Sequence, residues 1–116
     1  MTVGARDIAE SHTVLSKGTG VKHDSEKLRY DLLPPHAVEQ VVEVLTYGAN
    51  KYVDRNYEKG MEISRVFAAT QRHLNAYWRG QDLDEESALP HIAHAITDLM
   101  ILLEIERLHP ELDDRP

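Results

Sequence analysis

Cysteine is missing from all 116 residues, which excludes a disulfide framework, a thiolate zinc site and a cysteine nucleophile. Phe and Trp occur once each against seven histidines, so the placement of the histidines is worth reading. No apolar run approaches the roughly 20 residues that span a bilayer, and the N-terminus lacks a signal-peptide core. No membrane partner is therefore expected, and the expected location is the cytoplasm. A basic excess is also absent: 20 acidic side chains face 13 basic ones, for a net charge of -7. That field argues against nucleic acid as a partner. It leaves open a phosphorylated small molecule whose charge is carried by a divalent metal.

The length allows one domain with a limited core, so completion of that core by oligomerisation is expected. Residues 1–20 show no sustained period and read as a flexible arm. Residues 21–110 read as the folded domain and 111–116 as a frayed tail. Three helices are predicted, and the fold class is all-α. The first runs from about Pro35 to Tyr52, with Pro35 suited to a first helical position. Val38, Val41, Val42, Leu45 and Ala49 form its expected buried stripe. The second runs from about Glu62 to Arg79, with Val66, Phe67, Thr70, His73, Leu74, Tyr77 and Trp78 inward and Gly80 as its stop. The third runs from about Ser87, read as its N-cap, to Leu108. It is apolar nearly all round, a pattern that expects burial on most sides.

The residues suited to chemistry gather on two of these helices. His91, His94 and Asp98 stand at i, i+3 and i+7, within roughly 60° of one another on the third helix. A lone buried histidine is usually a satisfied core residue, but three polar groups in register on an apolar helix need partners. Glu39 and Glu43 share a flank of the first helix, a pairing that by itself is common on solvated faces. Facing Asp98, with Glu86 at the mouth of the third helix, they make an oxygen-rich site suited to Mg²⁺ or Mn²⁺. Such ions clamp phosphate oxygens and activate water. Zinc fits less well without a thiolate. Lys22, Lys27, Arg29, Lys51, Arg72 and Arg79 supply cations for phosphate, and His73 on the inward face reads first as structural.

An ordered series of short motifs then becomes informative. It comprises Gly20-Val21-Lys22-His23-Asp24 with Lys27-Leu28-Arg29-Tyr30-Asp31, Tyr47-Gly48-Ala49-Asn50-Lys51-Tyr52, Asp54-Arg55-Asn56-Tyr57, Arg72-His73-Leu74, and Asp84-Glu85-Glu86-Ser87-Ala88-Leu89-Pro90-His91-Ile92-Ala93-His94. Together they resemble a phage-borne family of dATP/dGTP diphosphohydrolases, a branch of the MazG-like all-α nucleoside triphosphate pyrophosphohydrolases. The resemblance, which covers about Gly20 to Glu104, implies a MazG-like helical bundle, dimeric or tetrameric, in the host cytoplasm if phage-encoded. It also implies cleavage of purine deoxynucleoside triphosphates between the α and β phosphates by water activated on two or three Mg²⁺ or Mn²⁺ ions. MazZ-type members of the family yield dGMP for 2-aminoadenine nucleotide synthesis and deplete dATP.

The family's ExxE and ExxD metal pairs correspond here to His36-x-x-Glu39 and Ala95-x-x-Asp98. Glu39 and Asp98 are accordingly the first metal and catalytic candidates, followed by Glu43, Glu86, His91 and His94. The motifs place Lys22, Asp24, Lys27, Arg29, Lys51, Tyr52, Asn56, Arg72 and His73 in the expected nucleotide- and phosphate-binding set. Tyr57 and Ala88 stand where the family often has Trp and Gly, and the second change bears on the start of the third helix. Two other readings compete. One is an HD-type metal phosphohydrolase, for which the only adjacent His-Asp is His23-Asp24. The other is a non-enzymatic oligomeric helical module.

Overall fold

The computed structural model describes residues 18–116, so the predicted arm lies outside the described residues except at 18–20. Three α-helices form the body of the described chain: α1 (Pro35–Lys51), α2 (Ile63–Trp78) and α3 (His91–Leu108). Single 3-10 turns occur at Tyr30–Leu32, Asn56–Lys59 and Pro110–Leu112. Among the described residues there is no strand, only an isolated antiparallel bridge between Leu83 and Pro90. The all-α class holds. Contacts divide the chain at Pro34, so residues 18–33 belong to one unit and Pro34–Pro116 to a second that contains all three helices.

Within the helical unit α3 is central. It packs most extensively on α2 and less on α1, and the turns at Asn56–Lys59 and Pro110–Leu112 also rest on it. The α2–α3 pair is antiparallel, since Ile63 and Val66 near the start of α2 cluster with Ile105 near the end of α3. At the opposite end His73 meets His91. The interface therefore grades from apolar to polar. Ile63, Val66 and Ile105 are joined by Met61, Ile101 and Leu102 at one end. In between, Thr70 and Thr97 return their hydroxyls to the carbonyls of Val66 and Ala93 one turn earlier, so neither is left buried without a partner.

Gly80 ends α2 as predicted. Its N–H bonds to the Tyr77 carbonyl, that of Gln81 reaches Ala76, and Gly80 takes φ +94°. This double closure is a Schellman motif, in which a left-handed residue follows the last turn. The tail expected to fray is instead tied down. Asp114 accepts hydrogen bonds from the backbone N–H of Ser64 (2.8 Å) and from its hydroxyl (2.5 Å). A carboxylate distant in sequence thus satisfies one of the orphan donors at the start of α2, which has no local side-chain cap. His109 Nε2 also lies 2.7 Å from the Glu58 carbonyl.

Gly60 lies under this tail with φ +90°, and a Cβ there would stand 2.6 Å from Leu112 and 2.9 Å from His109. Gly60→Ala is expected to cost about 2 kcal/mol, through left-handed strain added to displacement of the tail. An unchanged urea midpoint would refute this account of the position.

Three features depart from expectation. The buried line of α1 is Val41 and Val44, whereas Val38, Val42 and Leu45 are exposed. On α2 the inward line is Ile63, Val66, Thr70 and His73, while Phe67, Leu74, Tyr77 and Trp78 face outward, Trp78 at 86% exposure. Finally, α3 begins at His91 and not at Ser87, and it is covered on one side only, since Ile96, Leu99, Met100 and Leu103 are exposed. The cause is simple: two helices of this length cannot surround a third, and the outer apolar residues remain open in the single chain.

Candidate functional site

The loop Asp84–Pro90, of which the residues from Ser87 onward are expected to open the third helix, builds one wall of the polar end. Asp84 N–H bonds to the Leu89 carbonyl and Ala88 N–H to the Asp84 carbonyl, both at 2.8 Å, while His91 N–H reaches Asp82 at 2.9 Å. Closing the loop this tightly forces Ala88 to φ +61°, a conformation that glycine adopts without a Cβ penalty. The exchange Ala88→Gly should therefore stabilise the protein by about 1 kcal/mol, read as a rise in thermal midpoint. A fall would show that the loop relies on the alanine methyl.

Inside the loop, Ser87 is not a helix cap but a junction. Its N–H and hydroxyl both lie 2.9 Å from Asp84 Oδ2, the Leu89 N–H donates to its Oγ at 3.2 Å, and the same Oγ is 2.7 Å from His94 Nε2. A hydroxyl has one proton. If Ser87 donates it to Asp84, His94 must donate from Nε2, which leaves the His94 Nδ1 lone pair open. The His94 ring stacks on His73 at 4.5 Å and 9°, and His73 Nδ1 stands 2.8 Å from His91 Nδ1.

Electrostatics follow from this crowding. Burial lowers the His73 pKa, and the neighbouring His94 and His91 lower it further. Burial likewise lowers that of His94, against the opposing pull of Asp84. For Asp84, burial acts to raise the pKa, but the two Ser87 donors and the nearby histidines outweigh it and hold the carboxyl below its ordinary value. His73 and His94 thus favour the neutral form and Asp84 the ionised one. These are the protonation states in which such side chains hold a metal. The donor atoms of His73, Asp84 and His91 lie within 4.8 Å of one another, forming a possible His/Asp metal site.

Asp98 sits one turn beyond His94 along α3. Its Oδ2 is buried without a hydrogen-bond partner, and burial, only partly offset by the Arg72 charge, raises its pKa to about 6. Glu39 and Glu43 line an open cleft of about 380 Å³ together with Tyr47, Asn50, Ser87 and Leu89. Ser87 is thus shared between the cleft and the histidine cluster.

The expected residues are therefore gathered in part. His73, predicted to bind nucleotide, joins His91 and His94, predicted to bind metal. Glu86 is not a free ligand, being ion-paired to Lys51 at 2.6 Å and hydrogen-bonded by Tyr47. Lys51 is occupied by the same pair, and its ammonium lies 5.4 Å from the Tyr52 ring centroid. Glu39, Glu43 and Asp98 do not fall within one metal-sized group among the described residues. Asn56 begins the 3-10 turn after α1, half-buried. In the first unit Lys22 and Lys27 are exposed, Asp24 accepts the Lys27 N–H through its carbonyl, and Arg29 pairs with Asp31 at 2.6 Å. Asp84 and Ser87 were missed as site residues. The signal was the clustering of Asp84, Ser87 and Pro90 ahead of His91, which is turn chemistry and not the start of a helix.

An all-α scaffold with histidines and carboxylates converging between two antiparallel helices defines a polar site of the kind that binds metal. The chain belongs to the family described as dATP/dGTP diphosphohydrolase, N-terminal, which matches residues 17–115. It is similar to the dATP/dGTP diphosphohydrolase of Salmonella phage PMBT28, with 36% identity over 97 residues, covering 84% of this chain and 33% of the relative. The chain thus spans about a third of that curated relative's length. No solved structure matches it.

Proposed function

We propose that this chain hydrolyses dATP and dGTP to the monophosphates and pyrophosphate, in a reaction that requires divalent metal. The observation that carries this reading is the family membership, together with a relative named for that activity that aligns over most of this chain. The site supports it chemically. The cleft falls within the roughly 300–1,000 Å³ typical of small-molecule sites, and its acidic residues suit a metal–triphosphate better than a bare anion.

The donors present fit a divalent ion, because the buried Asp98 Oδ2 is without a partner and the Glu39 and Glu43 carboxylates line the cleft. Glu39 and Glu43, which line the cleft, would hold Mg²⁺ or Mn²⁺ there. When bound, such ions supply activated water and neutralise phosphate charge. Asp98, with a pKa pushed up toward neutrality, is suited to accept a proton from attacking water, and Arg72 offsets its charge. Tyr47 and Asn50 line the same cleft and would orient the nucleoside.

The exposed row of Ile96, Leu99, Met100 and Leu103 supports assembly into a dimer or tetramer. The product dGMP would feed 2-aminoadenine nucleotide synthesis in the host cytoplasm. A product assay with each dNTP and Mg²⁺ or Mn²⁺ tests the reading. Purine monophosphate with pyrophosphate is the expected result, whereas nucleoside with triphosphate, or no turnover with either ion, would overturn it.

A further inference from the structure

We infer that His73, Asp84 and His91 form a mononuclear site for a borderline metal ion such as Mn²⁺, Fe²⁺, Co²⁺ or Zn²⁺, separate from the carboxylates of the cleft. Their donor atoms come from α2, the Asp84–Pro90 loop and the first turn of α3, and lie within 4.8 Å of one another. His91 is buried, while His73 and Asp84 are half-buried.

His73 Nδ1 and His91 Nδ1 stand 2.8 Å apart, a separation that one N–H···N hydrogen bond bridges in the metal-free chain. Asp84 stands within reach of both rings but bonds to neither. Its Oδ2 is taken by Ser87, and its Oδ1 carries no hydrogen bond among the described residues. Donor atoms from three separate elements thus converge within the span of a single ion's ligand sphere, and this is the observation that carries the inference.

The surroundings fix the ligands as metal sites require. His94 stacks flat on His73, and Ser87 bridges His94 to Asp84. Ser87 and His94 are therefore positioning residues. Two imidazole nitrogens and one carboxylate select borderline ions over Mg²⁺ and Ca²⁺, which prefer oxygen.

The test is a Mn²⁺ titration of metal-free full chain, followed by pulsed electron paramagnetic resonance for nitrogen coupling. The expected result is one tightly held Mn²⁺ per chain with imidazole coupling that persists in a large excess of Mg²⁺. His73→Gln and Asp84→Asn, each checked for helical content, should weaken that binding on the order of 100-fold, and Ser87→Ala about tenfold, as loss of an outer hydrogen bond does. The cleft variant Glu39→Gln/Glu43→Gln should leave it unchanged. Absence of nitrogen coupling, or wild-type binding by both folded ligand variants, overturns the site. Imidazole-bound Mn²⁺ without dNTP turnover would overturn the proposed function alone, while turnover with nitrogen-free Mn²⁺ would overturn this site alone.

Discussion

Asp98→Asn is expected to melt higher than the parent and to turn over no nucleotide. The two effects have one origin. Asp98 presents a carboxylate oxygen that is buried and without a partner, on the helix that carries the core. Burial disfavours the charged form, and its pKa is raised to about 6, so near neutral pH the protein holds an uncomfortable anion. The sign follows by linkage. A carboxyl whose folded pKa exceeds its unfolded value stabilises the fold below the unfolded value, and that contribution is lost as pH rises toward about 6. An amide of the same shape removes the penalty. With the screening that the partly exposed side chain and Arg72 provide, the gain is about 1 kcal/mol at neutral pH. It should fade as the parent is acidified below the Asp98 pKa. The amide can neither accept the proton nor carry the charge that a cation needs, so hydrolysis should fall by about a thousandfold or more. Melting curves at two pH values and a pyrophosphate assay read both halves. Equal melting would mean that the carboxylate has a partner in solution. Preserved turnover would remove Asp98 from the chemistry.

Much of the fold could be read from residue spacing, and the failures share a cause. Long periodic runs flanked by Pro35, Gly60 and Gly80 located three helices to within a few residues, because capping chemistry is local. Periodicity could not say which apolar residues would find a neighbour. Val44 is buried and Val42 exposed on the same helix because α3 approaches one side only, a tertiary fact. The start of the third helix was displaced to Ser87 because a cap residue before an apolar run resembles an N-terminus. The Leu83–Pro90 bridge and the positive φ of Ala88 make that stretch a closed loop instead. At the site, the spacing of His91 and His94 was visible on one helix. His73 and Asp84 reach them only through antiparallel packing and the loop, so their convergence had no periodic signature. The tail carboxylate of Asp114 at Ser64 is a similar case.

Glu39→Gln/Glu43→Gln should sharply lower turnover while leaving stability nearly untouched, the reverse of the signature expected from a structural pair. Both residues are exposed on α1, and they line the cleft shared with Ser87. Neither has a salt bridge among the described residues, so neutralisation removes no stabilising ion pair, and a melting shift within the equivalent of about 0.5 kcal/mol is expected. It also removes two negative charges from a wall that must hold a metal–triphosphate. Carboxylate oxygens ligate hard cations far better than amide oxygens do, so loss of both should lower kcat/KM by about a hundredfold or more. Raised Mn²⁺ should restore part of the loss if these residues hold the ion, and none if they contact only the nucleoside. The comparison with Asp98→Asn then separates the two roles. A cleft variant rescued by metal and an Asp98 variant beyond rescue assign ion capture to the first helix and proton transfer to the third. Full activity in the double variant would place the triphosphate elsewhere, with the histidine cluster as the remaining centre.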